Sequence, residues 1–301
     1  MNETSQTARC TETGKAPSRF PAWIRVRMTG SGKFDKTREI LRRHELNTVC
    51  EEAHCPNIGE CYGHLTATFL ILGKSCTRRC AFCAVDHDWS NIAPPDPDEP
   101  ERVARAAAEM GLRHVVITSV TRDDLPDRGA GQFVRCAHAI RRLHPSATIE
   151  ALIPDFQGEE EPLAAVLASP VDVLNHNIET VPRLYPIVRR NADYRSSISL
   201  LAAAERLRPD LPTKSGLMLG LGETASEVHD TLHDLRSVGC AFLILGQYLQ
   251  PGPVQMPVTR YLEPKEFEQL RIEALEMGFR QVVSAPLARS SYHAADYHLT
   301  A

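Results

Sequence analysis

Cys76, Cys80 and Cys83 fall within one short stretch at the spacing C-x3-C-x2-C. The run before them, Ala67 to Gly73, is apolar and β-branched and ends in glycine, which predicts a buried strand emptying into a loop. A loop can wrap three thiolates around one metal centre. A strand cannot, because its side chains alternate between faces. Structural zinc sites are closed by four ligands, and iron–sulfur clusters usually take four cysteines. A loop that offers three leaves one iron of a cubane cluster open to a small molecule. The alternative is a zinc loop with a distant fourth ligand.

A second set, Cys50, Cys55 and Cys61, has the spacing C-x4-C-x5-C. It matches neither a zinc finger nor a redox C-x-x-C pair. Pro56 and Gly59 make it a turn-rich wrap, and its fourth ligand is again missing locally. The two triplets are each compact enough for a cluster of their own, which predicts two separate clusters rather than one shared site. Cys10, Cys136 and Cys240 stand alone and read as small buried hydrophobes.

Elements that position these loops follow in a strand–helix rhythm. Strands are expected at 67–73, 114–120, 148–153, 172–179, 213–220 and 242–248. Helices are expected at 35–46 with Asp35 as cap, then at 99–110, 131–143, 159–168, 194–207, 224–238 and 264–278. Such alternation predicts a parallel sheet with helices outside it. Six units fall short of the eight of a closed barrel, so the expectation is an α/β fold, an open (βα)6 partial TIM-like barrel. Function in such folds sits at the carboxyl ends of the strands. Asn175, Asn177 and Glu179 alternate along the fourth strand, which places them on one face. They read either as ligands for the polar parts of a nucleoside or as a hydrogen-bonded structural row. Gly216 to Glu223 ends the fifth strand; its glycines allow close approach of a ligand, or make an ordinary turn capped near Thr224.

The chain has 301 residues, is 43% hydrophobic and carries a net charge of −4. There is no basic footprint for nucleic acid, and no apolar run approaches the ~18 residues of a membrane span. The polar start, Met1 to Thr4, lacks the apolar centre of a signal peptide, so a cytoplasmic protein is expected. Nine cysteines in that compartment are not expected to form disulfides. Residues 1–20 read as a disordered tail, with Pro21 to Ile24 opening the ordered part.

Cys76-x3-Cys80-x2-Cys83 with Phe82 before its last cysteine resembles the signature of radical S-adenosylmethionine enzymes. The resemblance sharpens with the Cys50 triplet, Val120-Thr121-Arg122-Asp123-Asp124-Leu125-Pro126, Asn175 to Val181, Gly246-Gln247-Tyr248-Leu249-Gln250-Pro251 and Arg289-Ser290-Ser291-Tyr292. Together, from about residue 21 to 295, they resemble the lipoyl synthase family. That resemblance implies insertion of two sulfur atoms at C6 and C8 of a protein-bound octanoyl-lysine. It implies two 4Fe–4S clusters and two S-adenosylmethionine molecules per product. Cys76, Cys80 and Cys83 would hold the reducing cluster. Cys50, Cys55, Cys61 and Ser291, with Ser290 second, would hold an auxiliary cluster that gives up its sulfur. Phe82 would lie beside the adenine, Ser119 would help receive the methionine ammonium, and Gly220 and Glu223 belong to the glycine-rich strand near the adenosyl group. Arg289 reads as a surface arginine, or as one that closes the tail or meets an acidic carrier. Implied partners are an octanoylated lipoyl carrier (a dehydrogenase E2 domain or glycine cleavage H protein), a reducing electron carrier and cluster-assembly proteins. The implied division is an auxiliary-cluster extension at 21–65, the barrel at 66–283 and a serine-bearing tail at 284–301. Asp127-Arg128-Gly129 departs from the family's Asp-Gly-Gly turn.

Overall fold

The computed structural model describes residues 20–26, 32–292 and 294. Residues 1–19 of the tail expected at 1–20, Cys10 among them, and residues 293 and 295–301 of the expected C-terminal tail lie outside them.

The chain opens with α1 (Gly32–Arg43), β1 (Asn47–Thr48), α2 (Val49–Glu52) and α3 (Ile58–Gly63), and enters the sheet at β2 (Thr68–Ile71). Then come α4 (Glu99–Glu109), β3 (His114–Ser119), α5 (Ala130–Leu143), β4 (Thr148–Leu152), α6 (Glu160–Ala168) and β5 (Val173–Asn175). The series ends with α7 (Tyr185–Val188), α8 (Tyr194–Leu207), β6 (Thr213–Leu219), α9 (Ala225–Ser237), β7 (Phe242–Gln247), α10 (Pro264–Glu276) and β8 (Gln281–Ala285). The eight strands lie side by side in chain order, all parallel from β2 to β8, with β1 antiparallel to β2. Parallel neighbours joined by helices put both faces out of water, which explains why β2 and β7 are buried at every position.

The outer face of the first half, with Val115, Ile117, Ile149 and Ala151, packs under Val103, Ala107, Phe133 and Ile140 of α4 and α5. The second half buries Leu217, Leu219, Leu243 and Leu245 under Val228, Leu232 and Phe267 of α9 and α10. The inner face gathers Val116, Val173, Phe242 and Ile244 with Ala288 and Ala294. Residues of β3 and β7 meet there across the intervening strands, so the sheet curls into a partial barrel whose interior the 286–294 segment enters. Helix ends follow local chemistry: α8 is capped by Asp193, and Thr224 with Glu227 forms a reciprocal capping box on α9.

Three expectations need correction. Asp35 lies in the first turn of α1, not at its cap, because the helix already begins at Gly32. β5 stops at Asn175 rather than running to 179; Glu179 has φ +66 and pairs only in an isolated bridge to Leu217, which ends the period-two pattern. β1 and β8 add two strands to the six expected, and β8 runs two residues past 283.

Candidate active site

β2 delivers the chain into the first cysteine loop through Leu72 and Gly73, both left-handed, with the Leu72 N–H held by the buried carboxylate of Glu99. The loop is then closed on itself and tied to the segments that follow β3, β5 and β7. Cys76 N–H donates to Asp86 O at 2.8 Å, and Thr77 N–H donates to Thr121 O at 3.0 Å. Ala81 N–H donates to Val188 O at 2.9 Å, and Met256 N–H donates to Ala81 O at 2.8 Å. At its centre Arg78, only 5% exposed, forks onto two carboxylates. Nε and Nη2 reach Asp123 at 2.7 and 3.0 Å, and Nη1 and Nη2 reach Asp155 at 2.6 and 2.7 Å. Asp155 heads a tight turn in which Phe156 and Gln157 take φ +47 and +56 and the Asp155 side chain accepts the Gln157 N–H. Two non-glycine residues in the left-handed region carry strain, held by the groups around them.

The second triplet sits on α2 and α3. Thr48 caps α2, its hydroxyl meets Tyr62 OH at 2.8 Å, and Thr37 of α1 donates to Tyr62 O at 2.8 Å, so Cys50 and Cys61 are carried on a braced pair. Cys55 N–H donates to Cys50 O at 3.1 Å, which closes the wrap. The three thiols line one small cavity together with Thr68, Ser291, Arg289 and Tyr292. Thr68 Oγ1 donates to Ser291 Oγ at 2.6 Å, whereas Ser290 Oγ turns away and donates to Asn177 Oδ1 at 2.8 Å. The tail is fastened on both sides of the serines: Asn57 Nδ2 donates to Leu287 O at 2.8 Å and Tyr292 OH to Glu60 at 2.9 Å. Its close approach depends on two glycines. A Cβ on Gly246 would lie 2.2 Å from Ala288 O, and one on Gly216 would lie 3.2 Å from Ser290 Oγ.

Charge alternates between the two cysteine sites. Asp155 interacts with Arg78 and Arg189, Glu179 with Arg189 and Arg289, and Arg289 with Cys55. Arg289 is therefore not a plain surface residue. Burial pushes the Cys61, Cys80 and Cys83 thiols up to about 12, 11 and 12, and raises Cys50 and Cys55 as well. Thiols so placed stay protonated unless a strong counter-charge arrives, and iron supplies one. No three Cys, His, Asp or Glu side chains converge closely enough to hold a single metal ion among the described residues. Thiolates on separate corners of a cluster stand further apart, and this donor set suits that arrangement.

The other expected site residues fall in three places. Asn177 and Glu179 face the mouth beside Ser290 and Arg189, and Phe82 packs on the apolar cluster that includes Val181 and Leu184. Ser119, at the end of β3, has a buried hydroxyl oxygen with no hydrogen-bond partner, which suits it to a polar ligand group. Asn175 points lower into the barrel and donates to Glu150 at 2.7 Å, leaving its Oδ1 unpaired. Gly220 and Glu223 are engaged with the chain itself: the carboxylate accepts the Gly220 and Leu221 N–H groups, and Gly220 is pressed against Gln247 and Arg260. Arg78, Asp155, Arg189 and Thr68 were not foreseen. The Arg-Arg pair inside a cysteine loop was the one local signal, while their partners lie far away in sequence.

A radical SAM superfamily pattern matches residues 70–235. The chain is 56% identical over 280 residues to lipoyl synthase of Methylococcus capsulatus, covering 93% of this chain and 86% of that one. It is 53% identical over 277 residues to lipoyl synthase of Nitrosococcus oceani, covering 92% and 85%. Among solved structures, methylornithine synthase superposes with a TM-score of 0.52 at 12% identity over 76% of each chain. SuiB of Streptococcus suis bound to S-adenosylmethionine superposes with a TM-score of 0.55 at 9% identity, over 75% of this chain and 53% of that one. Both structural likenesses are of fold alone.

Proposed function

Since the chain belongs to the lipoyl synthase family of the radical SAM superfamily, we propose that its two cysteine sites divide one reaction between them. The reaction inserts two sulfur atoms at C6 and C8 of a protein-bound octanoyl-lysine. Those positions are unactivated C–H bonds that no acid, base or thiolate of the chain can ionise. Bound here, S-adenosylmethionine and two 4Fe–4S clusters supply a carbon radical that takes hydrogen from such a bond, and the sulfur that replaces it.

Cys76, Cys80 and Cys83 hold the reducing cluster and leave one iron for the cofactor. Ser119, with its unpaired hydroxyl, Asn177, Glu179 and Phe82 are assigned to S-adenosylmethionine. Asn175, Gly220 and Glu223 are assigned a supporting part, because their polar groups are already engaged within the chain. Cys50, Cys55, Cys61 and Ser291 hold the auxiliary cluster. An oxygen ligand binds iron less firmly than a fourth thiolate, which suits a cluster that is consumed. The charged residues from Arg78 to Arg289 orient the two sites toward one mouth. The extension at 21–65, the barrel from 66, which β8 carries to 285 rather than 283, and the tail that follows act as the three parts of this machine.

The observation that carries the reading is the Ser291 hydroxyl lining the cavity of three thiols while Ser290 turns to Asn177. The test compares Ser291→Ala with Ser290→Ala after anaerobic reconstitution. Ser291→Ala is expected to lose sulfur insertion and alter the auxiliary cluster's spectrum, with 5′-deoxyadenosine release retained. Wild-type product and iron content in Ser291→Ala would refute the assignment, and loss confined to Ser290→Ala would move it one residue back. An octanoylated carrier is the partner the family implies. We add an E2 domain or H protein as its form, a reducing electron carrier, cluster-assembly proteins and a cytoplasmic setting. No helix among the described residues is long and apolar enough to cross a membrane.

A further inference from the structure

The most exposed large apolar side chains of the described residues are Val254 at 88%, Trp89 at 58% and Ile187 at 51%. All three lie in the connections that follow strands, Val254 after β7, Trp89 after β2 and Ile187 in the short α7 after β5. Exposed apolar groups scattered singly are ordinary, but these gather on the one face that carries the cysteine loops. Ile187, in α7, and Val254, in the loop after β7, neighbour the two groups that hydrogen-bond to Ala81, Val188 O and Met256 N–H. They therefore flank the Cys80–Cys83 segment.

The charges of this face are unevenly used. Several of its carboxylates have partners within the chain: Asp123 and Asp155 are held by Arg78, and the exposed Asp124 and Glu159 are paired with Arg122 and Arg128, while the exposed Asp86 accepts from Ser75. Arg79, in the cysteine loop, and Arg190, just after α7, are exposed and enter no ion pair among the described residues. On the outer helices Arg43, Arg142 and Arg206 are paired with glutamates, while Arg42, Arg105 and Arg195 are exposed without an ion pair among the described residues, so what marks Arg79 and Arg190 is their place beside the apolar groups. The result is an apolar surface edged by two unneutralised guanidinium groups, on a chain whose net charge is negative.

We propose that Ile187 and Val254, edged by Arg79 and Arg190, form the docking face for the folded carrier domain, which meets it with an acidic surface around the acylated lysine. The inference rests on the substrate assigned above. The acyl-lysine arm is short, so for C6 and C8 to enter the barrel the carrier's backbone must come down on the loops that edge its mouth. Apolar contact at the centre with charges at the edge is the ordinary anatomy of a protein interface, and edge charges act chiefly on encounter and salt dependence.

The experiment uses the reconstituted holoenzyme with two substrates, an octanoylated carrier domain and a short octanoyl-lysyl peptide. Val254→Asp and Arg190→Glu are expected to raise KM for the carrier by about tenfold each, with kcat little changed. Turnover of the peptide should match the wild type, which also shows that fold and clusters are intact. Raising ionic strength should weaken carrier use by the wild type more than by Arg190→Glu. An unchanged carrier KM would overturn the proposal. So would an equal loss on the peptide, or an effect seen only with a protein reductant and abolished by dithionite, which would assign the face to the electron donor. Failure of the wild type to thiolate either substrate would instead refute the substrate itself.

Discussion

Replacing Arg78 by methionine keeps the apolar stem and removes the guanidinium that four short hydrogen bonds hold between Asp123 and Asp155. Asp155 is 2% exposed, so its carboxylate would be left buried without a cation. Stripping one partner from a buried pair costs about 3–5 kcal/mol. A second route gives a similar scale. Although burial opposes its charge, Arg78 holds the Asp155 carboxyl at about 2 against an ordinary 3.8. At roughly 1.4 kcal/mol per pH unit, that gap is worth about 2 kcal/mol from Asp155 alone. Because the folded carboxyl is depressed, this contribution is complete above the ordinary carboxylate range and fades as pH falls from about 4 toward about 2. In Arg78→Met the bare carboxylate would be relieved by protonation, so the stability gap to the wild type should be widest at neutral pH and shrink in acid. Denaturant melts of the cluster-free chain at neutral and acid pH measure this. Iron content and the electron paramagnetic resonance of the reduced cluster report the loop, with the auxiliary cluster as internal reference. Arg78→Lys supplies charge without the double fork and should recover part of the stability but not the native spectrum. A Met variant within about 0.5 kcal/mol of the wild type at neutral pH would show that the fork does not brace the loop.

Two other outcomes follow from packing. Gly246→Ala would set a methyl group 2.2 Å from Ala288 O, so the tail should lift: sulfur insertion should fall while 5′-deoxyadenosine release persists, and retention of full product formation would contradict the seat described here. Inside the barrel Lys214 Nζ reaches Glu150 at 3.0 and 3.1 Å, with His114 and Asn175 on the same carboxylate. Lys214→Met should cost about 3–5 kcal/mol at neutral pH, and Glu150→Met on top of it should recover much of the loss. Although burial opposes its charge, Lys214, His114 and Asn175 hold the Glu150 carboxyl at about 2, so the wild-type advantage should fade only as pH falls below the ordinary range toward that value; a single-variant melt unchanged at pH 7 would refute this account.

Much of the fold is written locally. The seven long helices and six strands carry their periodicity in short windows, and both triplets announce themselves by spacing alone. β8 was less legible because Gln281–Ala285 is a five-residue strand with polar positions, and β1 is only two residues long. The pattern at Asn175, Asn177 and Glu179 overextended β5, since alternation continues in the letters after the backbone has turned at Glu179. What local reading could not reach is pairing across distance. Arg78 finds Asp123 and Asp155 at separations of 45 and 77 residues, and Thr68 finds Ser291 at 223. Glycines did signal close approach, but at Gly216, Gly220 and Gly246 the chain itself is what comes close.

The long reach of that tail sets an order of assembly. Cys50, Cys55 and Cys61 leave the ribosome early, and the residues that cover them follow more than 220 positions later. Closing so long a loop in an unfolded chain is entropically unfavourable. Once β2 to β8 have formed, however, Ala285 already stands beside Gly246, and only a short segment remains to be laid across. In chain order, the residues that cover the cavity of three thiols are among the last of the described residues, and they follow every strand of the sheet. The Tyr292–Glu60 contact thus joins the tail to the helix that carries Cys61, across most of the length of the chain.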